Sequence, residues 1–115
     1  MKRDKDLSQT YLRFLNLASA IRGLPTLDAV EERVLNGLAA VWATGANVTV
    51  LEAMELTADT SATTVHRRLK SLREKGLIQL REDGMDSRVK YVEPTKAAQT
   101  YFAKLGQCLD RAARE

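Results

Sequence analysis

Apolar residues in the first part of the chain recur at helical spacing. Leu7, Tyr11, Phe14, Leu15, Ala18 and Ile21 stand three or four apart, on one face of an amphipathic helix that Gly23 and Pro25 close. Asp28 with Glu31 three residues on has the form of a capping box. Val30, Val34, Leu38, Val41 and Trp42 then make a second helical stripe, ending at Gly45, with Trp42 read as core. Gly37 sits inside that stripe, where glycine costs about 1 kcal/mol relative to alanine, so a close helix crossing is expected there. After an extended stretch around Asn47 and Val48, Thr49 and Glu52 repeat the box. They open a short helix carrying Leu51, Ala53, Met54 and Leu56.

Ser61 is placed to cap a fourth helix whose inward stripe is Ala62, Val65, Leu69 and Leu72, with Gly76 as its C′ residue. Two strands are expected next, over 77–82 and 88–93, joined by the polar tip Asp83-Gly84-Met85-Asp86-Ser87. Pro94 breaks the second strand. Thr95 starts a last helix in which Ala98, Tyr101, Leu105, Cys108 and Ala112 alternate by threes and fours. Helix, short turn, helix and hairpin is the order of a winged helix-turn-helix: a mainly α fold with a small β-hairpin wing.

At 115 residues, 44% hydrophobic and 29% charged, the chain fits one domain over 1–115, with terminal helices at 4–22 and 95–114 around a core at 27–94. One cysteine and one histidine cannot make an internal disulfide, a Cys-x-x-Cys pair or a zinc site from those ligands alone. No metal, cofactor or catalytic grouping is expected. No run of about 18 apolar residues and no leader-like start occur, which predicts a cytoplasmic protein without a membrane segment.

Charge sharpens the picture. The net value of +3 divides into +3 over 1–25, −5 over 26–60, +4 over 61–90 and +1 over 91–115. The fourth helix alone carries five basic residues and one acidic residue from Ala62 to Lys75. With the apolar stripe inward, Thr63, Thr64, Arg67 and Ser71 form the opposite face and His66, Arg68 and Lys70 its flanks. Hydroxyls and guanidinium groups reach phosphates and base edges, so double-stranded DNA is the expected partner.

The stretch Ser61-Ala62-Thr63-Thr64-Val65-His66-Arg67-Arg68-Leu69-Lys70-Ser71-Leu72-Arg73-Glu74-Lys75-Gly76-Leu77-Ile78 resembles the recognition-helix segment of the multiple-antibiotic-resistance regulator (MarR) family. Asp86-Ser87-Arg88, followed by Val92 and Thr95, is similar to that family's wing pattern. The resemblance spans roughly residues 27–98. It implies a homodimeric transcription regulator with helix 61–75 in the major groove and wing 77–93 on the flanking backbone or minor groove. Ser61, Thr63, Thr64 and Arg67 match its recognition-helix contacts, and Arg88 matches the wing arginine. The sequence departs from the pattern in a turn, Leu56 to Ser61, about two residues longer than the usual one. It also has Pro94 where leucine is frequent, and no second C-terminal helix, which implies a smaller dimerisation region.

The DNA contacts expected are therefore Ser61, Thr63, Thr64, Arg67, Arg68, Lys70, Ser71 and Arg88. Four of the six aromatic residues lie in the terminal helices, so a dimer through Leu7, Tyr11, Phe14, Leu15, Tyr101, Leu105 and Cys108 would cover apolar surface. Cys108 reads as a small packed hydrophobe, with a thiol sensor or an intersubunit pair as the alternative. Glu31, Glu32, Asp83 and Asp86 read as solvated carboxylates, with Asp86 orienting Arg88. No effector is identifiable. The rival functions are a winged-helix protein-interaction module and a plasmid or replication DNA-binding protein.

Overall fold

The computed structural model describes residues 2–57 and 59–114. Ala58, in the lengthened turn, lies outside them. The elements run α1 (Lys2–Ser19), α2 (Ala29–Trp42), β1 (Val48–Thr49), α3 (Val50–Ala53), α4 (Ala62–Glu74), β2 (Ile78–Glu82), β3 (Lys90–Pro94) and α5 (Lys96–Arg114). They fall into two compact units, Pro25–Ala98 and the pair Met1–Leu24 with Gln99–Glu115.

In the first unit, both capping boxes form. Asp28 accepts from the Glu31 amide at 2.7 Å while Glu31 accepts from the Asp28 amide at 2.9 Å, and Thr49 and Glu52 do the same for α3. Ser61 caps α4 through the Thr64 amide. At its other end Gly76, with φ of 78°, lets the Gly76 and Leu77 amides reach back to the Arg73 and Leu72 carbonyls, a Schellman stop. Leu77 thus ends the helix instead of starting the strand. Val34, Leu35 and Leu38 of α2, Val65, Leu69 and Leu72 of α4, and Val48, Ile78 and Val92 of the sheet are buried, giving the unit its core.

The sheet has three antiparallel strands in the order β1-β3-β2. The stretch at Val48, read only as extended, pairs with Val92. Pro94 closes β3 opposite Ile78 where a break was expected. β1 reaches only Tyr91 and Val92, so Pro94 lies where β3 has a single neighbour and a residue without an N–H is tolerated. The second strand begins at Lys90 and not at 88, because the Val89 amide donates to the Asp86 carbonyl and the Arg88 amide to the Asp86 carboxylate, which keeps 86–89 in a turn.

Four expectations about the interior change, the first at Ala62, which is exposed and not on the inward stripe of α4. Trp42 is only part-buried, and its indole N–H donates to the Val92 carbonyl at 3.1 Å. Leu51 is 75% exposed. A Cβ at Gly37 would lie 3.5 Å from the Leu56 Cβ, ordinary contact, so that crossing does not require glycine.

In the second unit, Arg13 donates to the Ala112 carbonyl through Nε and Nη2, at 3.2 and 3.0 Å, tying α1 to the end of α5. Tyr101 and Cys108, expected on a dimer seam, are each 8% exposed and packed within their own chain. Phe14 and Leu105 are half-buried. The apolar surface left open comprises Leu7, Tyr11, Leu12, Leu15 and Leu109. Leu12 and Leu109 escaped the sequence reading, although Leu109 stands four residues after Leu105.

Candidate nucleic-acid interface

Helix α4 presents Thr63, His66, Arg67, Lys70 and Arg73 to solvent, and none of Thr63, Arg67, Lys70 and Arg73 has a partner among the described residues. Ser61 and Thr64 begin this face. Their hydroxyls lie 2.9 Å apart, with Ser61 donating, so the cap also orients Thr64.

Two expected DNA contacts, Ser71 of the outward face and Arg68 of its flank, point elsewhere. Ser71 donates to the Glu31 carboxylate at 2.8 Å, and Arg68 lies 3.0 Å from Asp28. Both side chains are held against the start of α2, because the boundary of α4 nearest α2 carries carboxylate partners that a helical wheel does not show. Glu31, read as solvated, is the correction that explains them. It is 3% exposed and also accepts from Lys75 at 2.8 Å. Burial by itself would raise its pKa. The Lys75 ammonium, the Asp28 amide and the Ser71 hydroxyl outweigh that and hold it at about 2, against an ordinary 4.5.

The hairpin brings Arg88 to a cleft that His66 of this helix also lines. Its Nε and Nη2 meet the two Asp86 oxygens at 3.0 and 3.1 Å, the orientation expected of that pair, and the guanidinium remains exposed. The same hydrogen bonds, side chain first and then the Arg88 amide, lower the Asp86 pKa. Asp83 organises the tip, accepting from the Met85 and Asp86 amides and from the Tyr91 hydroxyl. Arg81 lies over the Tyr91 ring at 4.7 Å and pairs with Glu93 at 2.7 Å, while Lys90 pairs with Glu82.

Between α4 and the sheet run two adjoining clefts. One, of about 180 Å³, has His66, Lys70 and Arg73 around Leu69, Ile78 and Leu80. The other, of about 520 Å³, has His66, Arg88 and Lys90 around Leu51, Leu80 and Val89. Neither cleft has a carboxylate in its lining. Arg73 and Lys90 were not singled out from the sequence, although Arg73 stands three residues after Lys70. No group of three or more His, Cys, Asp or Glu side chains that could hold a metal occurs among the described residues.

No protein-family model matches the sequence, and no curated protein matches it either. Solved structures do match by shape. The chain is similar to BpsR of Bordetella bronchiseptica, described for the regulation of its DNA binding by 6-hydroxynicotinic acid, with 17% identity, a TM-score of 0.57, and 99% of this chain and 83% of that one covered. It is similar to a MarR-like transcriptional regulator of Thermotoga maritima, with 21% identity, a TM-score of 0.62, and 98% and 77% covered. It is also similar to S. aureus MepR in a complex with DNA, with 17% identity, a TM-score of 0.54, and 92% and 74% covered. The fold is therefore the MarR-like winged helix.

Proposed function

We propose that this chain is a sequence-specific double-stranded DNA-binding transcription regulator, acting as a homodimer in the cytoplasm and catalysing no reaction. The observation that carries this reading is the outward face of α4. Arg67, Lys70 and Arg73 are exposed without acidic partners among the described residues, beside clefts without carboxylates that Arg88 also lines, in a chain whose own acids neutralise the opposite flank. Unpaired cations on a helix beside a wing are the electrostatic footprint of a phosphate-backbone contact. That the similar MepR was solved with DNA supports the same reading.

In this reading α4 enters the major groove. Thr63, Thr64, Arg67 and Lys70 face bases or phosphates, Ser61 caps the helix at its entry, and Arg88 meets the flanking backbone or minor groove. The exposed Leu7, Tyr11, Leu12, Leu15 and Leu109 supply the apolar surface through which two copies would present two recognition helices about 34–36 Å apart. No helix among the described residues is long and apolar enough to cross a membrane.

The test is fluorescence anisotropy with a duplex selected by the protein from a random 30-base-pair pool. If a dimer neutralises about 6–10 phosphates, affinity falls by about 10³–10⁵ between 50 and 200 mM salt. A flat dependence would contradict the reading and favour a protein-interaction module.

A further inference from the structure

Glu31 is the single buried charged residue among those described, and the DNA-facing surface does not use it. Its Oε1 accepts from the Asp28 amide and from Lys75 Nζ, and its Oε2 accepts from the Ser71 hydroxyl. Lys75 Nζ also donates to the Thr26 carbonyl at 2.7 Å. Asp28, the cap residue itself, accepts from the Glu31 amide through Oδ1 and holds Arg68 through Oδ2. Arg68, Ser71 and Lys75, spaced by three and four along one flank of the recognition helix, are thus all gripped by the first turn of α2.

We infer that Asp28 and Glu31 are positioning residues for DNA sequence discrimination: the cap of α2 doubles as a clamp that fixes the rotation of α4 about its axis. This rests on the DNA-binding reading above. The apolar contact between the two helices is non-directional and tolerates small rotations, whereas two hydrogen-bonded groups and an ion pair along one flank do not. At the ~6 Å radius of a helix with its side chains, a rotation of about 20° moves a side-chain tip by about 2 Å, enough to lose a base-edge hydrogen bond. Stability alone does not call for such a device, since well-packed apolar residues commonly replace buried ion pairs without loss. The clamp acts on Thr63, Arg67 and Lys70 through the helix and touches no DNA itself.

The experiment compares Glu31→Gln, and Glu31→Gln combined with Lys75→Met, against the wild type, on the duplex that the wild type enriches from the random pool and on its scrambled sequence. Both variants lose at least about five-fold in preference for the enriched duplex. The salt slope of Glu31→Gln stays that of the wild type, because the phosphate-facing cations are unchanged. The melting midpoint of the double variant returns towards the wild-type value, since no cation is left without its partner. Preference that recovers together with the melting midpoint, or that never falls, overturns the clamp. Should Glu31→Gln fail to fold, Ser71→Ala removes one directional bond to α2 and lowers preference about two-fold; unchanged preference there overturns the inference equally. A wild type that enriches no duplex overturns the DNA-binding reading and the clamp together, whereas variants that keep the wild type's preference overturn the clamp only.

Discussion

Arg67 and Arg68 are neighbours in the chain and about 100° apart on α4. Arg68 lies 3.0 Å from Asp28, and about two turns further on Lys75 is locked to the buried Glu31, so that flank is neutralised by the acids that open α2. Arg67, Lys70 and Arg73 face away with no partner among the described residues. One helix therefore spends its positive charge in two ways. On the inner flank charge holds the fold together; on the outer flank it is left available to a polyanion. A block of basic residues consequently says less about binding than which of its members the chain's own carboxylates claim.

The largest effect should come from removing the second copy of the outer flank. Tyr11 is exposed in the single chain, so Tyr11→Asp leaves folding and helical circular dichroism intact, shifts the protein to monomer in sedimentation, and weakens binding to the enriched duplex by about 10²–10⁴. A Tyr11→Asp protein that remains dimeric would place the self-association surface elsewhere. On the inner flank, Glu31→Ala strands Lys75 and Ser71 and leaves the Asp28 amide without its acceptor. It should cost about 2–4 kcal/mol in urea unfolding, while Arg67→Ala stays within about 0.5 kcal/mol of the wild type. Equal losses would erase the distinction between the flanks.

Acid probes the same flank. The Glu31 pKa is depressed to about 2 from 4.5, so its contribution is fully present above about pH 5 and is lost as pH falls towards 2. By linkage this amounts to at most about 3 kcal/mol. Denaturant midpoints of the wild type should fall over that window more steeply than those of Glu31→Gln. Parallel curves would mean that Glu31 is not held as described. The smallest effect is expected at the wing, where Arg88→Ala weakens all duplexes alike and lowers the salt slope by about 1. Sequence-selective loss would make Arg88 a base reader instead.

What was legible in the sequence is local. The capping pairs Asp28–Glu31 and Thr49–Glu52, the Ser61 cap and the Gly76 stop each depend on residues a few positions apart, and each forms. The alternation of the hairpin and the 3.6-residue stripes were equally readable, and they sufficed for the winged-helix fold. The residues that misled depend on distant partners. Glu31 has the signature of a solvated first-turn acid, and only the approach of Ser71 and Lys75, 40 and 44 positions away, buries it. The same approach draws Ser71 off the outward face and ties up Arg68 on its flank. Pro94 looked like a strand breaker because the short reach of β1 cannot be seen from its neighbours. Tyr101 and Cys108 kept the periodicity of a seam, but a helical stripe does not say whether its own chain or a second copy covers it.

The most direct test of the account sets the adjacent arginines against each other on the enriched and the scrambled duplex. Arg67→Ala should lose about 1–3 kcal/mol of binding on the enriched duplex and most of its preference over the scrambled one. Arg68→Ala, whose guanidinium is occupied by Asp28 on the inner flank, should lose less on the enriched duplex than Arg67→Ala does. Equal losses in the two variants, or a larger loss in Arg68→Ala, would contradict the assignment of the outer flank of α4 as the surface that reads DNA.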